Sequence, residues 1–449
     1  MNSTVEQIKD RLPITDVLGA YITLIPAGKQ FKAKCPFHNE RTASFSVSPD
    51  RGLYYCFGCG ARGDAFTFVQ QFEGVDFNGA LKILAERAGV TLHAGDHHSD
   101  DRAPVYELLE KTALRYQNEL KQNSEAQRYL KGRGLTEQTI AEFRIGYVPD
   151  EWRFVADTCT SDAERKIAER AGLIKTPEDS SAKSPYDRFR RRIMFPLCDA
   201  SGRVVGFSGR LFPDIAKGEP DGKAVPPKYL NSPETEVFQK SRVLYGFDKA
   251  KFHIKRHGFA ILVEGQVDLL MSHQAGFRNT VATSGTAVSE QSQEDTTANL
   301  SVVSRLAPHI FLAFDGDSAG QKALERAAMV ALSLGMNPKV VALPEGTDPA
   351  DFFLHHEKEE WKVLLKQSLH FIIHEARAIR EMRLSPHVLV QTLRARVFPY
   401  LSRVVSPIEQ RLYTEEVAKE IGIDVVELSK EHARFVADQP ALSQRDGEE

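Results

Sequence analysis

Four residues near the N-terminus have the types and spacing of a metal site. Cys35 and His38 form C-x2-H, Cys56 and Cys59 form C-x2-C, and 17 residues separate the pairs. Two matched pairs of thiol and imidazole ligands suit tetrahedral Zn²⁺, and four protein ligands leave no open position, so the ion is structural. Gly58 and Gly60 permit the tight knuckles this needs. Buried thiols beside a surface His would explain each residue singly, but not the matched pairing. Between and beside the pairs run Arg41, Phe45, Arg51, Tyr54, Tyr55 and Phe57. Basic and aromatic side chains on a small sheet are what single-stranded nucleic acid needs for phosphate contact and base stacking. Taken one at a time, an aromatic is more often core than platform.

A second chemistry is written in carboxylates. ILVEGQVDLL carries Glu264 and Asp268, FLAFDGDSAG carries Asp315 and Asp317, and GTDPAD carries Asp348 and Asp351. Each motif follows an apolar run that reads as a strand. In a parallel sheet, side chains at the carboxyl ends of neighbouring strands converge on one crevice. Crowded carboxylates repel, and a divalent cation removes the conflict; oxygen ligands favour Mg²⁺ or Mn²⁺, bridged to substrate phosphates. The bland explanation is that Asp caps helices and that D-P and D-G make turns. Three such motifs in one unit outweigh it.

Charge points the same way. The net charge of −3 hides two blocks: 16 Lys/Arg against 8 Asp/Glu over 183–258, and 6 against 14 over 261–360. A basic block beside an acidic one suggests polyanion binding next to a cation site, although two solvated faces would give the same counts. In RFRRRIMFP, Arg190 and Arg192 are expected to share one face of a strand at period two. Arg210, Lys228, Lys240 and Arg242 follow, and such residues hold phosphates of a nucleotide or template.

The elements that must position these groups fill 449 residues, of which 42% are hydrophobic and 27% charged. That is a soluble chain of two to four domains, neither disordered nor a disulfide scaffold. Three of five Cys are clustered, while Cys159 and Cys198 stand alone as expected buried thiols. No apolar run reaches the roughly 20 residues that span a bilayer, and the charged start is not a secretory signal; a cytoplasmic protein with no membrane contact is expected. Residues 1–90 read as a zinc-binding domain with strands at Tyr21–Ile25, Gln30–Lys34, Ser44–Val47 and Leu53–Cys56. Helices follow near Asp64–Phe72 and Phe77–Ala88. Residues 91–103 read as a linker, in which His93, His97 and His98 get no role. Residues 104–257 are mixed α+β, helical to about Phe143, with strands at Arg190–Pro196 and Arg203–Ser208. Residues 258–360 alternate β and α, which argues for a parallel sheet flanked by helices. Residues 361–435 read as helical, and 436–449 as a disordered tail.

Together these motifs resemble the bacterial DnaG-type DNA primases. The resemblance rests on CPFH…FSVSPDRGLYYCFGCGARGDAF, RFRRRIMFP, GFSGR, PPKYLNSPET, VEGQVD, TSGTA, DGDSAGQKA and GTDPAD, in that order. It implies a zinc-binding domain that helps recognise template, then an RNA polymerase domain joining a basic subdomain to a Toprim fold, then a helical subdomain. It implies synthesis of short RNA primers on single-stranded DNA from ribonucleoside triphosphates. Glu264, Asp315 and Asp317 would be the main ligands of two or more Mg²⁺ or Mn²⁺ ions, supported by Asp268, Asp348 and Asp351. Arg144, Arg192, Arg210, Lys228, Asn231 and Lys240 would form the ridge that meets template and nucleotide, with Ser232 beside it. A monomer is expected. The family also implies a replicative helicase as partner, but its usual C-terminal docking domain does not follow the helical segment here. Rival readings are a type IA topoisomerase, a Toprim nuclease and a non-enzymatic, recombination-mediator-like DNA-binding module. A fused helicase is disfavoured because the sequence has no G-x-x-x-x-G-K-[ST] phosphate loop.

Overall fold

The computed structural model describes residues 4–37, 43–73, 75, 77–92, 101–177, 184–212, 226–283 and 293–438, and within 293–298 the backbone only. His38, Arg41, the linker histidines, residues 284–287 of TSGTA and the tail from 439 lie outside the described residues.

The N-terminal unit is an antiparallel meander of β1 (Ile25–Ala27), β2 (Gln30–Ala33), β3 (Phe45–Ser48), β4 (Leu53–Cys56) and β5 (Arg62–Gly63). It packs on α1 (Thr4–Arg11), α2 (Ile14–Gly19), α3 (Ala65–Glu73) and α4 (Phe77–Ala88). In β4, Tyr54 and Cys56 are buried while Leu53 and Tyr55 are exposed, the period-two alternation of a one-sided sheet. The strand expected over Tyr21–Ile25 is absent before Ile25. Instead the Leu18 carbonyl accepts from the N–H groups of Tyr21 and Ile22, closing α2 with a turn. Val17 and Leu18 are buried, so this apolar stretch reaches the core from a helix.

The next unit begins with α5 (Ala103–Gln122), α6 (Ser124–Gly132) and α7 (Glu137–Glu142). The helical pattern is broken because the Asn123 carbonyl side chain caps α6 by accepting from Ala126 N–H. A four-stranded antiparallel sheet follows, in the order β11 (Tyr229–Asn231), β10 (Val204–Leu211), β9 (Arg192–Cys198) and β6 (Gly146–Val148). A small ribbon, β7 (Ile174–Lys175) with β8 (Tyr186–Asp187), and α8 (Asp162–Arg170) lie beside it. All eight residues of β10 are buried. One face, with Phe207, packs with Leu109 and Tyr116 of α5. The other, with Phe195 and Val205, joins the core of the third unit.

Helix α9 (Phe247–His257) leads into that third unit and packs on its core. The unit's sheet runs β13 (Thr280–Ala282), β12 (Phe259–Val263), β14 (His309–Ala313), β15 (Asn337–Val340), β16 (Leu369–His370). The first four strands are parallel; β16 pairs antiparallel with β15. The near-continuous apolar strings FAILV and HIFLA are what strands covered on both faces require. The connecting helices are α10 (Gln266–Gln274), α11 (Gln293–Ser304), α12 (Ser318–Ser333), α13 (Pro349–His355) and α14 (Lys358–Gln367). The region expected to be all helical therefore contributes one short edge strand. It continues as α15 (Phe371–Glu381), α16 (Pro386–Arg396), α17 (Phe398–Leu401), α18 (Pro407–Ile421) and α19 (Val425–Asp438), sharing one core with the sheet through Phe371, Phe398, Leu401 and Val417.

The zinc unit touches the third unit through Arg305, one residue beyond α11. Its Nη1 donates to the carbonyls of Gln71 and Phe72, both at 3.1 Å, at the C-terminal end of α3. The guanidinium also lies 5.2 Å from the Phe72 ring and 5.5 Å from that of Phe37. Burial brings its pKa down to about 10.

Candidate active site and zinc site

The thiol site is closed by local geometry. Cys56 ends β4, and the Gly60 N–H donates to the Cys56 carbonyl at 3.0 Å, with Gly60 at φ 71°. That left-handed turn is cheap only for glycine and folds Cys59 back toward Cys56. Sγ atoms of Cys35, Cys56 and Cys59 all lie within 4.8 Å of one another, and Cys35 and Cys59 are 3.8 Å apart. Thiolates at the corners of a tetrahedron around zinc, with bonds of about 2.3 Å, stand about 3.8 Å apart. The three sulphurs therefore fit Zn²⁺. Burial pushes the Cys35 thiol well up. Burial opposes ionisation of Cys56 too, but the Ser44 hydroxyl and the N–H groups of Cys59 and Gly58 bring it below the usual thiol value. A cation at this point would resolve the mismatch by deprotonating all three. His38, the fourth expected ligand, lies outside the described residues.

The aromatics expected as a platform split into two groups. Phe45 and Tyr54 are buried and stacked at 4.9 Å. Tyr55 and Phe57 are 41% and 76% exposed and meet edge to face at 4.9 Å. Tyr55 stands in register with Ser46, Lys32 and Arg62 across the sheet, so the outer face carries aromatic and basic groups together.

The carboxylates sit where strand order predicts. Glu264 follows β12, Asp315 and Asp317 follow β14, and beyond β15 Asp348 caps α13 with Asp351 in its first turn. Gly320 lets α12 approach this loop, since a Cβ there would sit 2.3 Å from the Asp315 carbonyl oxygen. Burial, then Asp315 and Asp317, raise the Glu264 pKa. Burial, Asp348, Asp317 and Asp351 push Asp315 up to about 6, while Lys228 pulls it down. Five acids from three strand ends thus share one field, and Lys228 faces it from the basic subdomain. Among the described residues, no three carboxylates bring oxygens within 4.8 Å of one another. The acidic bowl is wider than one bare ion, which suits hard cations that keep waters and take substrate oxygens.

Three acids have further duties. The Asp317 Oδ1 accepts from the N–H groups of Ala319 and Gly320, capping α12, and the Asp348 Oδ1 accepts from Asp351 N–H, capping α13. Each has a second oxygen outside these bonds. Asp268 is different: it is buried, one oxygen accepts from Gly265 N–H and the other from Ala350 N–H. It braces the Glu264 loop against the Asp348 loop. Burial, then Asp348 and Asp315, raise its pKa to about 7.

The basic wall differs from the sequence expectation at its first strand. Arg191 has φ 52°, which breaks the alternation, so Arg190 and Arg192 do not share a strand face. Arg192 is buried and donates to the carbonyls of Gly209 and Pro227 at 2.8 and 3.0 Å. It anchors the segment that carries Lys228. Arg190 lies before β9 with its guanidinium 3.3 Å from the ring centre of Trp152, which is 60% exposed. Arg210, on β10, meets the Tyr229 hydroxyl at 3.1 Å. Arg144 is held by Glu110 at 2.5 Å, and the Lys240 N–H by Glu234. Asn231 lies on β11 opposite Ser208, and Ser232 is buried, its hydroxyl accepting from Phe207 N–H. Sequence reasoning missed Trp152, Arg326 and Gln266. Arg326 on α12 is a cation beside Glu264, and nothing in its local sequence, QKALERAAM, sets it apart.

A parallel-sheet acidic bowl, a facing cationic wall and an appended thiol site define a metal-dependent enzyme of nucleotide polyanions. Three family models match: CHC2 zinc finger over residues 1–100, DNA primase catalytic core N-terminal domain over 115–251, and Toprim-like over 261–353. A DNA primase of Halalkalibacterium halodurans is 33% identical over 98% of this chain and 72% of its own length. One of Pseudomonas putida is 38% identical over 77% of this chain, which spans about half of that relative (52%). The crystal structure of the Aquifex aeolicus primase zinc-binding and RNA polymerase domains matches with a TM-score of 0.61 and 31% identity, over 95% of this chain and 99% of that one. The chain belongs to the DnaG-type DNA primases, which synthesise RNA primers. The topoisomerase, nuclease and recombination-mediator readings give way to this one.

Proposed function

We propose that this chain is a DNA-directed RNA polymerase of the nucleotidyltransferase class, joining ribonucleoside triphosphates on a single-stranded DNA template in the cytoplasm. One observation carries the proposal: acids from three strand ends share a field that Lys228 enters from another subdomain. Glu264, Asp315 and Asp317 would hold Mg²⁺ or Mn²⁺, with Asp348 and Asp351 at the rim. Bound there, such ions neutralise the triphosphate and stabilise the attacking and leaving oxygens of an in-line displacement. The chain's own task is placement. Lys228 and Arg210 orient the triphosphate, Asp268 keeps two acidic loops in register, and Arg192 fixes the segment that carries Lys228. Arg144, Asn231 and Lys240 extend the polar wall. Template would run from Trp152 and Arg190, where bases stack and phosphates pair, and a relative's catalytic domain has been solved bound to single-stranded DNA. The outer face of the zinc sheet, with Tyr55 and Phe57, would read template over 1–90. We assign the basic subdomain to 104–257, Toprim to 258–360 and the helical subdomain to 361–435.

Incubation with single-stranded DNA, labelled ribonucleotides and Mg²⁺ tests this. Short RNA products are expected from the native chain. Asp315→Asn should lower synthesis about 10²-fold or more while template binding persists. Full synthesis by that variant would remove the acidic bowl from the mechanism.

A further inference from the structure

The acidic bowl and the basic wall stand on different subdomains, so their spacing is a property of the boundary between them. That boundary is mostly apolar: Ile193, Phe195 and Val205 of the antiparallel sheet share a core with Val263, Val267 and Leu269. Apolar packing is non-directional and sets a distance only loosely. Among the described residues, polar contacts cross it at both ends of α10. At the far end Gln274 bonds the Thr136 N–H, the Thr139 hydroxyl and the Gly134 carbonyl, with Arg278 paired to Glu142 just beyond. At the end beside the acidic loop a single buried side-chain pair crosses. The Gln266 Nε2 donates to the Ser208 Oγ at 2.8 Å, with the two residues 2% and 0% exposed.

The position of this pair is specific. Gln266 is two residues beyond Glu264 and opens α10. Ser208 is two residues before Arg210 on β10, so both side chains leave the same face of the strand. Ser208 is in register with Asn231, and Arg210 with Tyr229. The bond therefore joins the loop of the first acidic ligand to the row of the wall. A buried amide-to-hydroxyl bond is directional and strong in such surroundings. The boundary is also held by the paired backbone bonds of Tyr245 and Ala282, so loss of the pin does not separate the subdomains.

We propose that Gln266 is a positioning residue, which through Ser208 sets the spacing at which acidic bowl and basic wall engage one triphosphate together. The proposal rests on the polymerase reading above. It makes a split prediction. Each half-site keeps its own affinity without the pin, and only binding that uses both at once weakens.

The experiment compares the full chain with Gln266→Met, Ser208→Ala and the double variant. Mn²⁺ alone is titrated by electron paramagnetic resonance. Single-stranded DNA is titrated without divalent metal. ATP is titrated with and without Mn²⁺, and KM and kcat for primer synthesis are measured with Tm. The native chain should bind ATP more tightly with Mn²⁺. In each single variant that enhancement should fall about tenfold, with KM rising more than kcat falls, because misplacement by an ångström costs up to about 10²-fold. Affinities for Mn²⁺ alone and for DNA should stay within about twofold, and the double variant should be no worse than either single one. Retained enhancement in both single variants at native Tm overturns the proposal. So does an equal loss in every titration, which marks a merely structural bond. If the native chain itself shows neither primer synthesis nor Mn²⁺-enhanced ATP binding, the polymerase reading falls first and takes the pin with it.

Discussion

The two metal regions solve opposite problems. In the zinc domain, three thiols lie within 4.8 Å of one another and hold that geometry through knuckle turns and sheet edges. In the Toprim region, carboxylates from three loops share a field but keep apart. The difference follows from chemistry. A neutral thiol tolerates a neighbouring thiol, so a closed structural site can be packed tightly before its ion arrives. Carboxylates repel, so an open site needs separate backbone anchors for each acid, here the helix caps of Asp317 and Asp348 and the brace at Asp268. A site built this way leaves room for substrate oxygens. The first design makes metal part of the fold; the second makes it part of the reaction.

The largest effect that would break this comparison is chelation. Structural zinc contributes on the order of 10 kcal/mol to small domains. A strong zinc chelator should expose residues 1–92 to protease while 101–438 stay protected. Equal protection of both, or a shared collapse, would contradict the separation. A smaller effect sharpens the role of the zinc sheet. Phe57→Ala should weaken single-stranded DNA binding by about 1 kcal/mol, as loss of one stacking face does, with no change in Tm because the ring is 76% exposed. Fluorescence anisotropy against a labelled oligonucleotide reads this; unchanged affinity would return Phe57 to the ordinary surface. The smallest effect concerns pH. With zinc retained but Mg²⁺ and Mn²⁺ omitted, the Toprim region should lose stability as pH rises from 6 to 8. Asp268 and Asp315 have folded pKa values of about 7 and about 6, above an unfolded value of about 3.9. The folded state thus holds protons that the unfolded chain has shed, and that advantage disappears as pH climbs through those values. For Asp268 alone the loss is about 1 kcal/mol over this window. His273 and His370, lowered by burial to about 4 and about 3, act in the other direction, mainly below the unfolded histidine value of about 6.5. Thermal melts with and without Mg²⁺ should differ in slope; identical slopes would mean that the carboxylates do not crowd.

What was legible in the sequence was what periodicity and motif spacing encode. β4 and α4 begin and end where the pattern says, and each acidic motif falls after its strand. The rest depended on tertiary partners. Whether Arg192 faces phosphate or carbonyls is decided by Gly209 and Pro227, which no local pattern reveals. Arg191 adopts a positive φ that shifts the strand start, and only the backbone shows it. The aromatics of the zinc sheet could not be divided into core and surface until the register of β3 and β4 placed Phe45 and Tyr54 inside. Gln266 carried no signal at all, since an amide inside an acidic motif reads as a spacer until Ser208 appears opposite it.

The central claim is that acids from separate strands jointly bind hard cations opposite the Lys228 wall. Crystals soaked in Mn²⁺ and ATP, read by anomalous scattering, test it most directly. The account predicts anomalous peaks bounded by Glu264, Asp315 and Asp317, with triphosphate oxygens between them and Lys228. An acidic bowl without peaks, or manganese bound elsewhere with ATP against the basic wall alone, would contradict it.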